Sequence, residues 1–296
     1  MESLTKKKDS SANINQQAKK EIGTMENILD KLNRDLKKAS DSMSEREARY
    51  LVDLYYQMQD FRIQATNQTR ILTKDDEKEP HEVISFMGGN YKTIEDNIKA
   101  CLKVYAESKP IGRWMLSICG IGPVIAAGLL AHIDISKCET AGAIWSFAGL
   151  VPDVEWGKGQ KRPWNAKLKT LCWKIGQSFM KVSSNEKDYY GKVYRKRKEY
   201  EIAKNEAGEY KEVADKVLAT KNFKKATKAK EFYEKGMLPP AHIDARARRY
   251  AVKLFLSHLH AVWYELERGV KPPKPFAIAI LGHAHEVPVP NREYAC

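Results

Sequence analysis

The chain has 296 residues, 43% of them hydrophobic and 30% charged, and carries a formal net charge of +13. That length and apolar content allow one large domain or two modest ones, while the charge excess calls for an acidic partner or a solvated cationic face. No run of about 18 apolar residues is present to span a membrane, and the start of the chain lacks the apolar core of a secretory signal. The five cysteines (101, 119, 138, 172 and 296) are scattered and form no CxxC pair. They suggest neither a disulfide framework nor a zinc knuckle, and a reducing, cytoplasmic and nucleoid-associated setting is expected.

Residues 1–20 are polar and basic and read as a disordered tail. Apolar residues then recur at helical spacing, first at Ile28, Leu29, Leu32 and Leu36, then at Tyr50, Leu51, Leu54, Tyr55, Met58 and Phe61. A polar break from Thr73 to Pro80 precedes a further helix near 82–107. Residues 21–107 therefore predict a helical hairpin or coiled-coil arm, either a surface for homo-oligomerisation or an extra layer on the main domain.

Residues 108–268 predict the main domain, opening on Leu116 to Leu130, the most informative stretch. It reads as a helix, a Gly120-Ile121-Gly122 turn and a second helix starting at Pro123, since glycine tolerates turn conformations and proline suits a first helical position. Amides at such a turn can receive a phosphate oxygen. The pattern is that of a helix-hairpin-helix, and equally that of a tight turn between core helices with Ala126, Ala127 and Leu130 packing. A short helix over Ala141–Leu150, a basic loop from Trp156 to Trp164 and a helix near 165–184 follow. On that last helix Leu168, Leu171, Cys172, Ile175, Phe179 and Val182 predict the buried stripe, and Lys167, Lys174 and Lys181 a cationic edge. Residues 187–235 are charged and predict a long exposed helix or helical pair, with 201–241 as an inserted connection. A closing helix near 242–268 begins with Arg246, Arg248, Arg249 and Lys253, and 269–296 forms an extended, proline-rich tail. Nothing alternates like a sheet, so the fold class is all-α.

The charge excess is concentrated. Thirteen Lys and Arg lie between Lys158 and Lys198, opposed only by Glu186 and Asp188. Backbone amides fixing a register, with Lys and Arg displacing counterions, are what nucleic-acid backbone binding requires. A solvated basic face is the alternative. Metal binding has weaker support: His258 and His260 are two apart on a helix and point to different sides, and His283 with His285 lacks a third ligand at a fixed spacing. No Walker loop or Gly-x-Ser-x-Gly element is present.

Gly120-Ile121-Gly122-Pro123 with Ala126-Ala127, Phe147-Ala148-Gly149-Leu150-Val151-Pro152, a Gly/Lys loop, Lys167-Leu168-Lys169-Thr170-Leu171, Tyr189-Tyr190 and Arg248-Arg249-Tyr250-Ala251-Val252-Lys253-Leu254-Phe255 occur in one order. In that order they resemble the C-terminal domain of insertion-sequence 110 family transposases, grouped with the 116 and 902 insertion sequences. The resemblance covers roughly 110–200 and 242–266. It implies DNA transposition or recombination by a mobile element, with DNA or, through an RNA guide, structured RNA as partner. It further implies a RuvC-like domain bearing acidic metal ligands and a serine nucleophile. Here Trp156-Gly157 stands where the family has Ser-Gly, and residues 1–105 show helical periodicity, with Asp53 and Asp60 as ordinary helix-face residues. Catalytic residues are therefore unassigned, whether the chain is an enzyme stays open, and a divalent metal is expected only with a nuclease domain or partner. The resemblance and the charge pattern carry over Gly120, Ile121, Gly122, Val124, Lys158, Lys161, Arg162, Trp164, Lys167, Lys169, Lys174, Arg248 and Arg249 as nucleic-acid-binding residues. Trp156 and Trp164 are candidates for base stacking or for capping a small core. The rival reading is a non-catalytic architectural or scaffold protein.

Overall fold

The apolar spacing read from the sequence produces helices throughout the computed structural model, which describes residues 32–76, 82–152, 154, 156–157, 159–223, 227–273 and 287–295. Among the described residues there are eleven α-helices and no strand, so the chain is all-α. In order they are α1 Arg34–Lys38, α2 Glu45–Asp76, α3 Glu82–Glu107, α4 Pro110–Ser117, α5 Pro123–His132, α6 Ala141–Phe147, α7 Ala166–Val182, α8 Tyr190–Glu206, α9 Lys211–Thr220, α10 Lys228–Glu234 and α11 Pro240–Arg268. The chain divides into two compact units, one of Met1–Ser42 with Tyr50–Val104, the other of Met43–Arg49 with Tyr105–Cys296.

Helix α2, which belongs to the first unit from Tyr50 onward, runs for 32 residues because no glycine or proline interrupts it. Its partner is α3. Val52, Tyr55, Ile98, Cys101 and Leu102 are buried, Phe61 stacks on Tyr91 with ring centroids 6.0 Å apart, and Arg62 pairs with Glu95 at 2.5 Å. Burial alone would raise the Glu95 pKa; the hydrogen bonds from Arg62 and Tyr55 outweigh it and hold the carboxyl below its ordinary value. Phe61, Ile63, Ile71, Leu72, Val83 and Met87 remain exposed along the arm.

The second unit is organised by α11, which packs against α4, α6, α7 and α8. Its Phe255 stacks on Trp114 of α4 at 5.9 Å and meets Phe179 of α7 and Tyr190 of α8 edge-on at 5.6 and 5.3 Å. Helix α5 is apolar on nearly every side, with Val124, Ala126, Ala127, Gly128, Leu129, Leu130 and Ala131 buried, as expected of a helix in a core. Gly269, at φ +68°, closes α11 in the left-handed conformation common at helix ends.

The charged stretch differs from the expected exposed helix or pair. It holds three helices, α8 to α10, because Tyr210, Ala214 and Tyr233 turn inward and form a small core with Leu238 and Ile243. The described part of the tail, 287–295, is docked. Trp114 Nε1 donates to Pro290 O at 2.9 Å, Tyr189 OH to Pro288 O at 2.9 Å, and Asn291 Nδ2 to Ser117 O at 2.9 Å. No described helix is long and apolar enough to cross a membrane.

Candidate nucleic-acid interface

The α4–α5 turn is built as its glycines suggest. Ile118 and Ile121 close it through bonds to Met115 O at 3.1 Å and Ile118 O at 2.9 Å. Gly120 adopts φ +93°, and a Cβ there would meet Phe179, Val182 and Ser178 of α7 at 3.2–3.3 Å. Ser178 Oγ donates to Gly120 O at 2.6 Å, fixing the turn against the C-terminal half of α7. Gly122 is extended, caps α5 ahead of Pro123, and has nothing within 4 Å of the position a Cβ would take. The Ile121 and Val124 side chains are buried, so only their main-chain groups could meet a ligand. The first N–H groups of a helix have no intrahelical acceptor.

Helix α7 starts at Asn165, whose Oδ1 accepts from Leu168 N at 3.0 Å, and buries Leu168, Leu171, Cys172, Ile175, Gly176 and Phe179. At about 100° per residue, Lys167, Lys174, Ser178 and Lys181 share one flank of that stripe, and Lys169, Trp173 and Gly176 the other. The turn therefore stands beside Lys174 and Lys181. Lys169 belongs to a separate surface, shared with α11.

That second surface is a groove of about 490 Å³ lined by Gly149 to Pro152, by Lys169, Cys172, Trp173 and Gly176 of α7, and by Ala245, Arg248, Arg249 and Val252 of α11. Gly176 allows the two helices to approach, since a Cβ there would already meet Arg248 Cβ at 3.3 Å and Val252 Cγ2 at 3.4 Å. The loop bordering it carries the two tryptophans. Trp164 lies over Gly149, whose φ is +64° and whose Cβ would come within 2.7 Å of the ring. The Trp156 and Trp164 rings meet edge to face at 6.2 Å, with Arg162 over Trp156 at 5.0 Å and Lys169 Nζ over Trp164 at 4.0 Å. Lys161 and Arg162 are exposed. Lys158, His283 and His285 lie outside the described residues.

The α11 cations divide by partner. Arg246 Nε donates to Glu201 Oε2 at 2.7 Å. Arg248 Nε lies 2.8 Å from Asp244 Oδ2, an ion-pair distance without a well-aimed N–H, and its Nε counts among the buried groups lacking a hydrogen bond. Arg249 is exposed, yet desolvation first, then the like charges of Arg246 and Arg248, push its pKa below the ordinary value. Lys253, over Trp145 at 4.9 Å, is lowered by burial and by Arg249. Both shifts mean that the charged form is disfavoured here, and an anion entering the groove beside Arg249 would relieve the first of them.

Other residues singled out from the sequence have structural partners. Asp188 does not offset the basic block as a surface acid: it is buried, its Oδ1 accepts from Gly191 N at 2.9 Å at the start of α8, and burial raises its pKa. His258 shares a hydrogen bond with Tyr190 OH at 2.8 Å and reaches Val287 O at 3.1 Å, while His260 lies 2.8 Å from Cys138 O. The two histidines serve different neighbours, as their spacing requires. Burial pushes the Cys172 thiol up to about 12, a poor state for a nucleophile at neutral pH. Among the described residues no three His, Cys, Asp or Glu side chains gather as a metal site.

One groove residue was not anticipated. Trp173 is 61% exposed, and its signal in the sequence is that it falls off the apolar stripe of α7.

The class defined by this fold is an all-α protein with a cationic, tryptophan-bearing helical layer. Residues 113–191, from α4 to the first turn of α8, match the model of the Transposase IS116/IS110/IS902 family, so this segment is a transposase-family domain, as the sequence resemblance implied. The match supports a transposase-like role in transposition. No similar curated protein and no similar solved structure was found.

Proposed function

We propose that this protein binds nucleic-acid backbone in the transposition or recombination of a mobile element, with DNA as the first partner and structured RNA as the second. The observation that carries the reading is the charge left open on the α7–α11 face. Arg246 and Arg248 are tied to Glu201 and Asp244, whereas among the described residues no carboxylate forms an ion pair with Arg249, Lys253 or Lys169. Polyanion binding through such groups releases condensed counterions. The α4–α5 turn supports the same reading as a helix-hairpin-helix: Gly122 is open, and Lys174 and Lys181 lie on the α7 flank against which the turn is held. Association with the nucleoid in the cytoplasm follows from such binding. The exposed apolar residues of the α2–α3 arm support a homo-oligomer formed through it.

A second reading, a non-catalytic architectural protein, is favoured by Trp156, which stands where the family resemblance places a serine and donates its indole N–H to Gln160 O at 2.8 Å. Fluorescence anisotropy with duplex DNA, a four-way junction and structured RNA, each titrated with salt, tests the binding. A log–log salt slope of about −3 or steeper, with weaker affinity on replacing Gly122 by Leu, is expected from several phosphate contacts. Flat, salt-insensitive or absent binding to all three refutes it. Strand cleavage or a covalent adduct with divalent metal would favour the enzyme over the scaffold.

A further inference from the structure

We infer that the groove between α7 and α11 takes an unpaired nucleobase, stacked on Trp173 with its flanking phosphates on Lys169 and Arg249. The inference rests on the nucleic-acid reading above and specifies its form: single-stranded or locally unpaired nucleic acid rather than intact duplex.

Three observations converge on this site. The first is Trp173 itself, which presents 61% of its surface to solvent on a helix that otherwise buries its apolar residues along one stripe. An indole left open in a concave, cationic setting can stack on any base, because every base has a π face. In an intact duplex those faces are covered by neighbouring pairs. The second is the contrast with Trp156 and Trp164, the tryptophans that the sequence nominates for stacking. Their rings contact each other, Arg162 and Lys169 lie over them, and neither lines the groove, although Trp156 keeps 40% of its exposure. Trp173 is the groove's open ring.

The third observation is the placing of charge around an apolar floor. Cys172, Gly176 and Val252 are buried beneath the groove, and Leu150 with Pro152 borders it. Lys169 and Arg249 stand on its two helical walls, and Arg249 is crowded by Arg246 and Arg248. An occupant with an apolar planar part and anions on either side fits this arrangement. The volume, about 490 Å³, lies within the roughly 300–1,000 Å³ of ligand clefts.

The test uses the full chain with a labelled 20-nucleotide mixed-sequence single strand and the duplex of the same sequence. Trp173→Ala should weaken single-strand binding about tenfold, the loss expected for one stacked base, and change duplex affinity less than threefold. Trp173→Phe should retain most of the affinity. Because the ring is exposed, thermal melts of both variants should match the parent, which separates a lost contact from lost folding. Wild-type affinity of Trp173→Ala for both ligands, or an equal loss on both, overturns the stacking site while leaving the nucleic-acid reading intact. Failure of the parent protein to bind either ligand at low salt overturns both.

Discussion

Removing the Glu201 carboxylate should cost more stability than any single surface change, because three groups from three parts of the chain converge on it. Glu201 is 1% exposed and accepts from Arg197 Nε at 2.8 Å, Arg246 Nε at 2.7 Å and Tyr210 OH. Breaking a buried ion pair by deleting one partner costs about 3–5 kcal/mol. Here the two arginine side chains keep 29% and 31% of their exposure and can recover hydration, which favours the lower end. The stranded Tyr210 hydroxyl adds about 1 kcal/mol. Glu201→Ala should therefore lose about 3–4 kcal/mol, and at about 2–4 °C per kcal/mol for a structure of this size its Tm should fall by about 6–16 °C. Glu201→Gln, which keeps the volume and one acceptor, should lose about half as much. Burial alone would raise the Glu201 pKa, but the hydrogen bonds from Tyr210, Arg246 and Arg197 outweigh it and the net shift is downward. The stabilisation is thus fully present above the ordinary value of 4.5 and is lost as pH falls through the lower folded-state pKa. Differential scanning calorimetry from pH 7 to pH 3 measures both effects. A Glu201→Ala protein melting within 2 °C of the parent, or a Glu201→Gln acid profile parallel to the parent's, would refute the account.

The two turn glycines should respond oppositely. Gly120→Ala forces a side chain to φ +93° against Phe179 and Val182 and should cost about 2 kcal/mol in urea unfolding, whereas Gly122→Ala, extended and open, should stay within about 0.5 kcal/mol. Equal effects would contradict the assigned turn. His258 is held neutral by burial, its pKa pushed down to about 4 despite its bond to Val287 O. Because the folded pKa is lowered, its contribution to stability is whole above about 6.5 and is lost as pH falls toward 4. Nitrogen-15 NMR of the imidazole should show no protonation at pH 6, and titration near 6.5 would refute the burial argument.

Much of the helical framework could be read from local spacing. Of the α7 stripe predicted at Leu168, Leu171, Cys172, Ile175, Phe179 and Val182, all but the half-buried Val182 at the helix end are buried, and the helix near 82–107 is Glu82–Glu107, because an amphipathic period needs only the chain's own neighbours. The stretch 187–235 was less legible. Its charged composition resembles a solvated helix, yet Glu201 and Asn205 are buried, one balanced by Arg197 and Arg246, the other bonded to both the N–H and C=O of Leu238 at 2.8 and 3.0 Å. Partners 33 and 45 residues away leave no periodic trace.

The candidate site divides in the same way. Sequence alone determined the two turn glycines, the proline that follows them, the cationic edge of α7 and the concentration of charge, since each depends on residue type and near-neighbour spacing. Tertiary structure alone decided that the turn rests against Ser178, that Lys169 and Arg249 share a groove on the other flank of α7, and that Arg246 and Arg248 each reach a carboxylate while among the described residues Arg249 forms no ion pair. It also decided which tryptophan is open within the groove: Trp164 is covered by Lys169, Trp156 keeps 40% exposure outside the groove lining, and Trp173 lines the groove at 61% exposure. The reason is that helix periodicity is set over three or four residues, whereas burial, charge pairing and ring access are set by which helices meet.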